Sequence, residues 1–463
     1  MQMSIATTIR RRFGRRSPLR VVILLLICAG AVAVASWAFR GPAASEPVSG
    51  NADRGAIADP LVDTSRTDGL LPPAERVEFW EARTGAGGGY LDHVHLADAY
   101  IDRARASGDL ADLRRAEAAL AIGAESAPDP ATVRVREAMV SFALHEFDAA
   151  LEGANEVLET DRGNLAALTV AGDSLLELGQ VEAASIHYER LAEAVPSAAS
   201  WSRLGRLAFL HGETDEALRI VTDAARAALE AGFPDEIAFY HVQLGDLQRA
   251  SGDLTGADAS YAAALDALPK HAPASAGLAR VREAQGRRDE AIALLEEAVA
   301  SLPQPELVAT LGDLYALRGD AALAEELYAL VEAIAGLAAE ESVYDRAYVL
   351  FAADHERDPD GAVRRAEAEL ALRRDVYGHD ALAWALFAAG RLEEAADAAA
   401  QATRLGTADP RIAYHAGMIA AAMGRDAEAA ELLATAVAGS ASLPPLQVPR
   451  AVAALEALGQ GAP

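Results

Sequence analysis

A small residue recurs along this chain at nearly fixed spacing, and no other feature limits its fold as much. It falls at Ala138, Gly172, Gly205, Gly245, Ala279, Gly312, Ala383 and Gly417. Five of the steps are 34, 33, 34, 33 and 34 residues. The step from Gly205 to Gly245 is 40, because the second helix runs on through Arg226-Ala227-Ala228-Leu229. A skeleton surrounds each copy. Leu244-Gly245 is followed by Gly252, Ala257, Tyr261, Ala264 and Pro269. Ala171-Gly172 is followed by Gly179, Ala184, Tyr188, Leu191 and Pro196, and Leu278-Ala279 by Gly286, Ala291, Leu295, Ala298 and Pro303. Leu311-Gly312 continues with Tyr315, Gly319, Ala324 and Tyr328. A period of this length marks stacked units that cannot bury their apolar faces alone.

Such a unit is two antiparallel helices joined by a tight turn. The small residue lets them approach, the following Gly supplies positive φ at a helix end, and the Pro stops the second helix. Composition agrees. Hydrophobic residues make up 52% but aromatics only 5%, so Ala and Leu carry the apolar content and favour helix. The period and skeleton resemble the tetratricopeptide repeat from roughly Tyr90 to Gly439. Two copies depart from it, with extra residues before Ala116 and at His355 to Gly361. The resemblance implies an all-α, right-handed superhelical solenoid of about ten helix-turn-helix repeats over 74–447, with a cap helix and tail at 448–463.

It also implies that first-helix side chains line a concave groove that takes a protein segment. The residue after each small residue reads Met139, Asp173, Arg206, Asp246, Arg280, Asp313, Tyr348, Trp384, Met418. Asp173, Arg206, Asp246, Arg280 and Asp313 alternate in sign. They are expected to form a charge ladder or simply to neutralise the groove. Towards the C-terminus, Tyr344, Tyr348, Phe351, Trp384, Phe387, Tyr414 and Met418 fall on or beside the inner stripe. Either they are the partner-binding patch, centred on Trp384, or they are core between first and second helices. The family's carboxylate clamp of Lys, Asn and Arg is not supported, because those positions hold Thr169, Ser202, Val242 and Ala276.

The first 40 residues differ from the rest. They hold seven Arg and no acid, which leaves 34 basic and 69 acidic side chains over the remaining 423 residues. After a basic tail (1–20) comes an uncharged run, 21–39. Nineteen residues at about 1.5 Å each span about 28 Å, close to a bilayer core. Arginines before the run put the N-terminus in the cytoplasm and the acidic body outside a bacterial cytoplasmic membrane. An uncleaved anchor is expected, with Trp37 at the interface. A cleavable signal ending near Ala33-Val34-Ala35, giving a secreted protein, is the alternative. Lipidation of Cys28 is disfavoured by Leu25, Leu26 and Ile27 before it. Residues 40–73, rich in Pro, Gly, Ser and Asp, read as a flexible linker.

Few residues fit a catalytic or metal site. The single Cys, Cys28, excludes a disulfide framework. Gly85 to Gly89 is followed by no GK[ST] and reads as a hinge. His93 and His95 sit roughly 200° apart on a helix, a poor metal pair. Glu325-Glu326 and Glu393-Glu394 follow turns, where helix N-termini favour acids. A net charge of −28 argues against a nucleic-acid face. The expectation is a non-catalytic protein-interaction scaffold without cofactor or metal, binding a partner segment that is basic and carries large apolar side chains. An accessory subunit of an envelope enzyme or assembly machine is the rival.

Overall fold

The computed structural model describes residues 71–107, 110–340 and 346–459. The expected basic tail, the membrane helix at 21–39, the linker up to residue 70, and Tyr344 lie outside the described residues. Among the described residues no helix is long and apolar enough to cross a membrane, and all regular structure is helical.

The chain divides into two units at Leu204 and Gly205. In the first, α1 (Pro73–Gly85) precedes the pairs α2 (Tyr90–Ser107) with α3 (Leu110–Ala124), α4 (Pro130–Ala143) with α5 (Phe147–Thr160), and α6 (Leu165–Glu177) with α7 (Val181–Ala194). The boundary lies inside α8 (Ala198–Leu210). The second unit continues with α9 (Thr214–Ala231), then pairs α10 (Pro234–Ala250) with α11 (Leu254–Ala267), and α12 (Ala272–Ala284) with α13 (Arg288–Ser301). There follow α14 (Pro305–Arg318) with α15 (Ala321–Glu340), α16 (Arg346–Asp354) with α17 (Pro359–Leu372), and α18 (Val376–Ala388) with α19 (Leu392–Ala402). Last come α20 (Pro410–Ala422) with α21 (Asp426–Ala438), a 3-10 turn at Ser440–Ser442, and α22 (Gln447–Ala457).

Local chemistry sets the helix ends. Asn164, Asp253, Asp358 and Asp375 each accept a hydrogen bond from a backbone N–H in the first turn of the helix they precede. Pro occupies the first turn of α4, α10, α14 and α20, where no N–H is needed. Seven residues after each small residue the chain turns left-handed. At Gly179 (φ 74°) the N–H reaches Leu176 O at 3.0 Å and the next N–H reaches Leu175 O at 2.8 Å. This double bond closes the first helix of the pair. His145 adopts the same conformation, φ 63°, with the same two bonds, so the turn survives a side chain that costs it some strain.

Size matching sets the helix crossings. A Cβ at Gly172 would lie 2.6 Å from the Tyr188 ring, one at Gly245 2.8 Å from Tyr261, and one at Gly312 2.5 Å from Tyr328. Where the second helix offers Ala154 or Leu295, the first carries Ala138 or Ala279, all buried. In each case the small residue makes room for the side chain sixteen positions later, and Gly205 does so for Val221 and Gly417 for Leu433 as well.

The second unit closes on itself. Thr407 Oγ1 donates to Leu210 O at 2.7 Å, across 197 residues. A Cβ at Gly212 would lie 2.4 Å from Gly406 O. A Cβ at Gly439 would lie 2.6 Å from Ala250 O and 2.2 Å from Pro410 Cγ, so three backbone segments meet there. Arg249 Nη1 donates to Ala441 O at 3.0 Å, and the 3-10 turn packs on α10 and α12. The turns of the early pairs thus receive the loops of the last ones.

Candidate functional site

In the expected ladder, Arg280 feels the charge of Asp246 but makes its ion pair with Glu306. Each of the ladder's aspartates is bonded within its own repeat by the second-helix tyrosine fifteen residues on. Tyr188 donates to Asp173 at 2.8 Å, Tyr261 to Asp246 at 2.6 Å, and Tyr328 to Asp313 at 2.8 Å. The sign alternation has a packing cause: Asp follows Gly where the second helix brings a Tyr hydroxyl, and Arg206 and Arg280 stand where it does not. Further partners of these carboxylates include Arg203, which grips Asp173 through two 2.8 Å bonds, Arg249 on Asp246 at 3.0 Å, and His355 on Asp313 at 2.8 Å. Arg280 pairs with Glu306 at 2.8 Å.

The aromatic stripe is core, not an open groove. Trp384 is 4% exposed, Phe351 3% and Tyr414 0%. Tyr348, Phe387 and Met418 pack half-buried against the same cluster, and Tyr344 is outside the described residues. Trp384 stacks on His415 with centroids 4.3 Å apart and on Phe387 at 5.1 Å. Its Nε1 donates to Asp354 Oδ1 at 2.7 Å, as does Gln447 Nε2. His415 Nδ1 donates to Asp380 at 2.9 Å, and its Nε2 faces Gln447 Nε2 at 3.3 Å. Burial raises the Asp354 pKa, although His415, Gln447 and Trp384 partly offset that. One polar network therefore ties α22 to α16, α18 and α20. First-helix inner residues and core residues share one helical periodicity, so spacing alone did not separate them.

Closure gathers charge inside the second unit. Arg280 and Glu306 lie near Arg249 and Arg411. Packing around Glu306 disfavours its charge, but Arg280, Arg411 and Arg249 outweigh this and hold its carboxyl below the usual range, although the side chain is 55% exposed. Enclosure lowers the Arg280 guanidinium's pKa; Glu306 offsets this in part, while Arg249 and Arg411 add to it. Beside this cluster, under the strap from Ala438 to Pro449, is a cavity of about 460 Å³ whose lining includes Leu254, Arg280, Leu295, Leu314, Leu443 and Val448. Sequence reasoning missed Glu306, Arg411 and Gln447. Their only signal is an unpaired position in the repeat register, which says nothing about partners a hundred residues away.

The other singled-out residues are structural. His95 stacks on Trp80 at 4.7 Å, and His93 packs beside Gly123. Gly87, at φ 95°, turns the chain between α1 and α2, with Asp92 accepting from Gly89 N at 2.8 Å.

Models of the tetratricopeptide repeat match residues 169–235, 248–314 and 381–444. No curated protein matches the chain. Similar solved structures include PilW, a type IV pilus biogenesis factor, at 20% identity and TM-score 0.39, covering 45% of this chain and 94% of that one. A tetratricopeptide repeat protein from Parabacteroides merdae gives 16% identity and TM-score 0.40, covering 53% and 93%. YrrB, described as having an unusual peptide-binding site, gives 20% and 0.30, covering 41% and 94%. The chain carries tetratricopeptide repeats at residues 169–235, 248–314 and 381–444.

Proposed function

We propose that this chain is a non-catalytic scaffold for protein–protein interaction, held by residues 21–39 on the outer side of a bacterial cytoplasmic membrane. The arginine-rich start and uncharged run support the anchor and its orientation. The repeats support the scaffold. The partner carries a basic segment, because a chain at net −28 attracts cations over long range.

One observation supports a position for the contact. The lengthened repeat leaves Leu229 59% and Phe233 57% exposed, on either side of the left-handed Gly232. Glu230, 69% exposed, lies between them in sequence, with Asp235 and Glu236 just after. Exposed apolar anchors with acids adjacent in sequence, Glu230 being shared with Arg226 at 3.4 Å, suit a basic segment bearing a large apolar side chain. The buried Trp384 cluster offers no such surface. The test compares pull-downs from detergent-solubilised envelopes using the wild-type chain and Leu229→Ser/Phe233→Ser. A partner retained by the first and lost by the second, at equal melting temperature, is the expected result. Equal recovery by both would place the contact elsewhere.

A further inference from the structure

The cavity under the strap has two unlike walls. Repeat helices supply one, with Leu254 of α11, Leu295 of α13 and Leu314 of α14; the strap supplies the other, with Leu443, Pro445 and Val448. At about 460 Å³ the space has the size of an ordinary ligand pocket, mainly apolar with a few placed polar groups. The strap's sequence keeps its wall poor in donors. Leu443 is extended (φ −77°, ψ 150°) ahead of Pro444, and Pro445 and Pro449, both on the cavity, carry no N–H. Arg249 Nη1 ties this wall down through Ala441 O at 3.0 Å, and Leu443 is only 3% exposed.

The polar groups on the cavity limit what it can take. Arg288 donates to Glu283 at 2.6 and 3.1 Å. Thr310 Oγ1 is spent on the Glu306 carbonyl at 2.8 Å. Arg280, whose side chain is 12% exposed, donates Nη2 to the Glu306 carboxylate at 2.8 Å, its one hydrogen bond among the described residues. Each cation on the cavity thus has a carboxylate, so little charge is left to draw an ion out of water. Arg280 nevertheless keeps unused N–H donors at Nε and Nη1.

We propose that this cavity binds a small neutral molecule with an apolar body and one hydrogen-bond acceptor, such as an amide or an alcohol. The acceptor takes the unused donors of Arg280, and the body lies among the leucines. A carboxylate would bring its charge beside Glu283 and Glu306, and an ammonium beside Arg280 and Arg288, so neither ion is favoured. The site shares no residue with the proposed protein contact at Leu229 and Phe233, and either can fail alone.

The test is isothermal titration of the full-length chain in lipid nanodiscs, blanked against empty nanodiscs, with phenylpropanamide, phenylpropanoate and phenylpropylammonium, which share one apolar body. Saturable binding of one amide per chain is expected, with both ions weaker. Arg280→Met should weaken the amide about tenfold, as loss of a hydrogen bond to a charged group does. Ala284→Trp, at an exposed position that lines the cavity, should abolish binding by filling the space. Absence of saturable amide binding overturns the proposal, as does an ion that binds as tightly as the amide, or unchanged affinity in either variant. If Arg280→Met does not fold, Ala284→Trp decides alone: lost binding supports the site, and unchanged affinity overturns it.

Discussion

The Gly-Asp repeats and the C-terminal group bury large rings beside acids in opposite ways. In α6–α7, α10–α11 and α14–α15 the ring comes from the second helix and its acid from the first, fifteen residues back. Each repeat is complete in this respect. In α16–α22 the ring is Trp384 of a first helix. Its acid, Asp354, lies 30 residues earlier, and Gln447, which shares that acid, lies 93 residues from it. Damage to a Gly-Asp repeat should stay close to nearest neighbours, as in stacked arrays. Damage to the shared network should reach four helices together.

The largest expected effect tests that contrast. Trp384→Ala should cost roughly 3–5 kcal/mol, as emptying a buried aromatic site does. It should loosen α16, α18, α20 and α22 in one step, visible as lost hydrogen-exchange protection over all four. Loss confined to α18 would break the comparison.

Next in size is Asp313→Ala, which strands the Tyr328 hydroxyl and His355. Leaving buried donors unpaired should cost about 1–3 kcal/mol in thermal or denaturant unfolding. Asp246→Ala should cost less, because Asp246 is 51% exposed and water can replace it. Equal losses would mean that burial does not set the difference.

The crossing rule predicts a smaller, non-additive effect. Gly312→Ala should overpack against Tyr328 by about 1 kcal/mol or more. Combined with Tyr328→Leu, which copies the Ala279 and Leu295 pairing, it should cost less than the two single changes added. Strict additivity of the three melting curves would contradict size matching.

The smallest effect is on pH dependence. Burial alone would lower the His355 pKa, but the hydrogen bond and charge of Asp313, with the Phe351 carbonyl, outweigh it and raise the value. A raised folded pKa contributes stability in full below the unfolded value of about 6.5, and this is lost as pH rises through the folded value. The melting-temperature gap between wild type and His355→Asn should therefore narrow as pH rises above about 6.5. A gap that is constant or widens would contradict the ion pair.

The repeat was legible because its determinants are local. Gly172, Gly179 and Tyr188 sit within one unit, and helix geometry converts their spacing into contact. The Asp–Tyr bond was present in the sequence as a fifteen-residue offset, but reading only the first helices turned it into a ladder. The sequence leaves Trp384 between groove and core because a groove stripe and a core stripe have the same spacing. The closure was not legible. It accumulates small rotations from pair to pair, and its close contacts, Gly406 and Gly439, lie in loops outside the repeat register. Arg411 gained its surroundings only through that closure.

The central claim is that the second unit closes on itself, and a distance across the seam tests it most directly. Spin labels at His211→Cys and Arg404→Cys, with Cys28→Ser removing the native thiol, give that distance by pulsed electron resonance. His211 O lies 4.0 Å from where a Gly406 Cβ would sit, and two residues of about 3.8 Å each separate Arg404 from Gly406. The closed unit predicts a Cα separation below about 20 Å. An open array, with five pairs between the labels at about 10 Å per step, predicts about 50 Å. A narrow distribution at the short distance is the expected result; a population centred near the long one would contradict the closure and the interior site built on it.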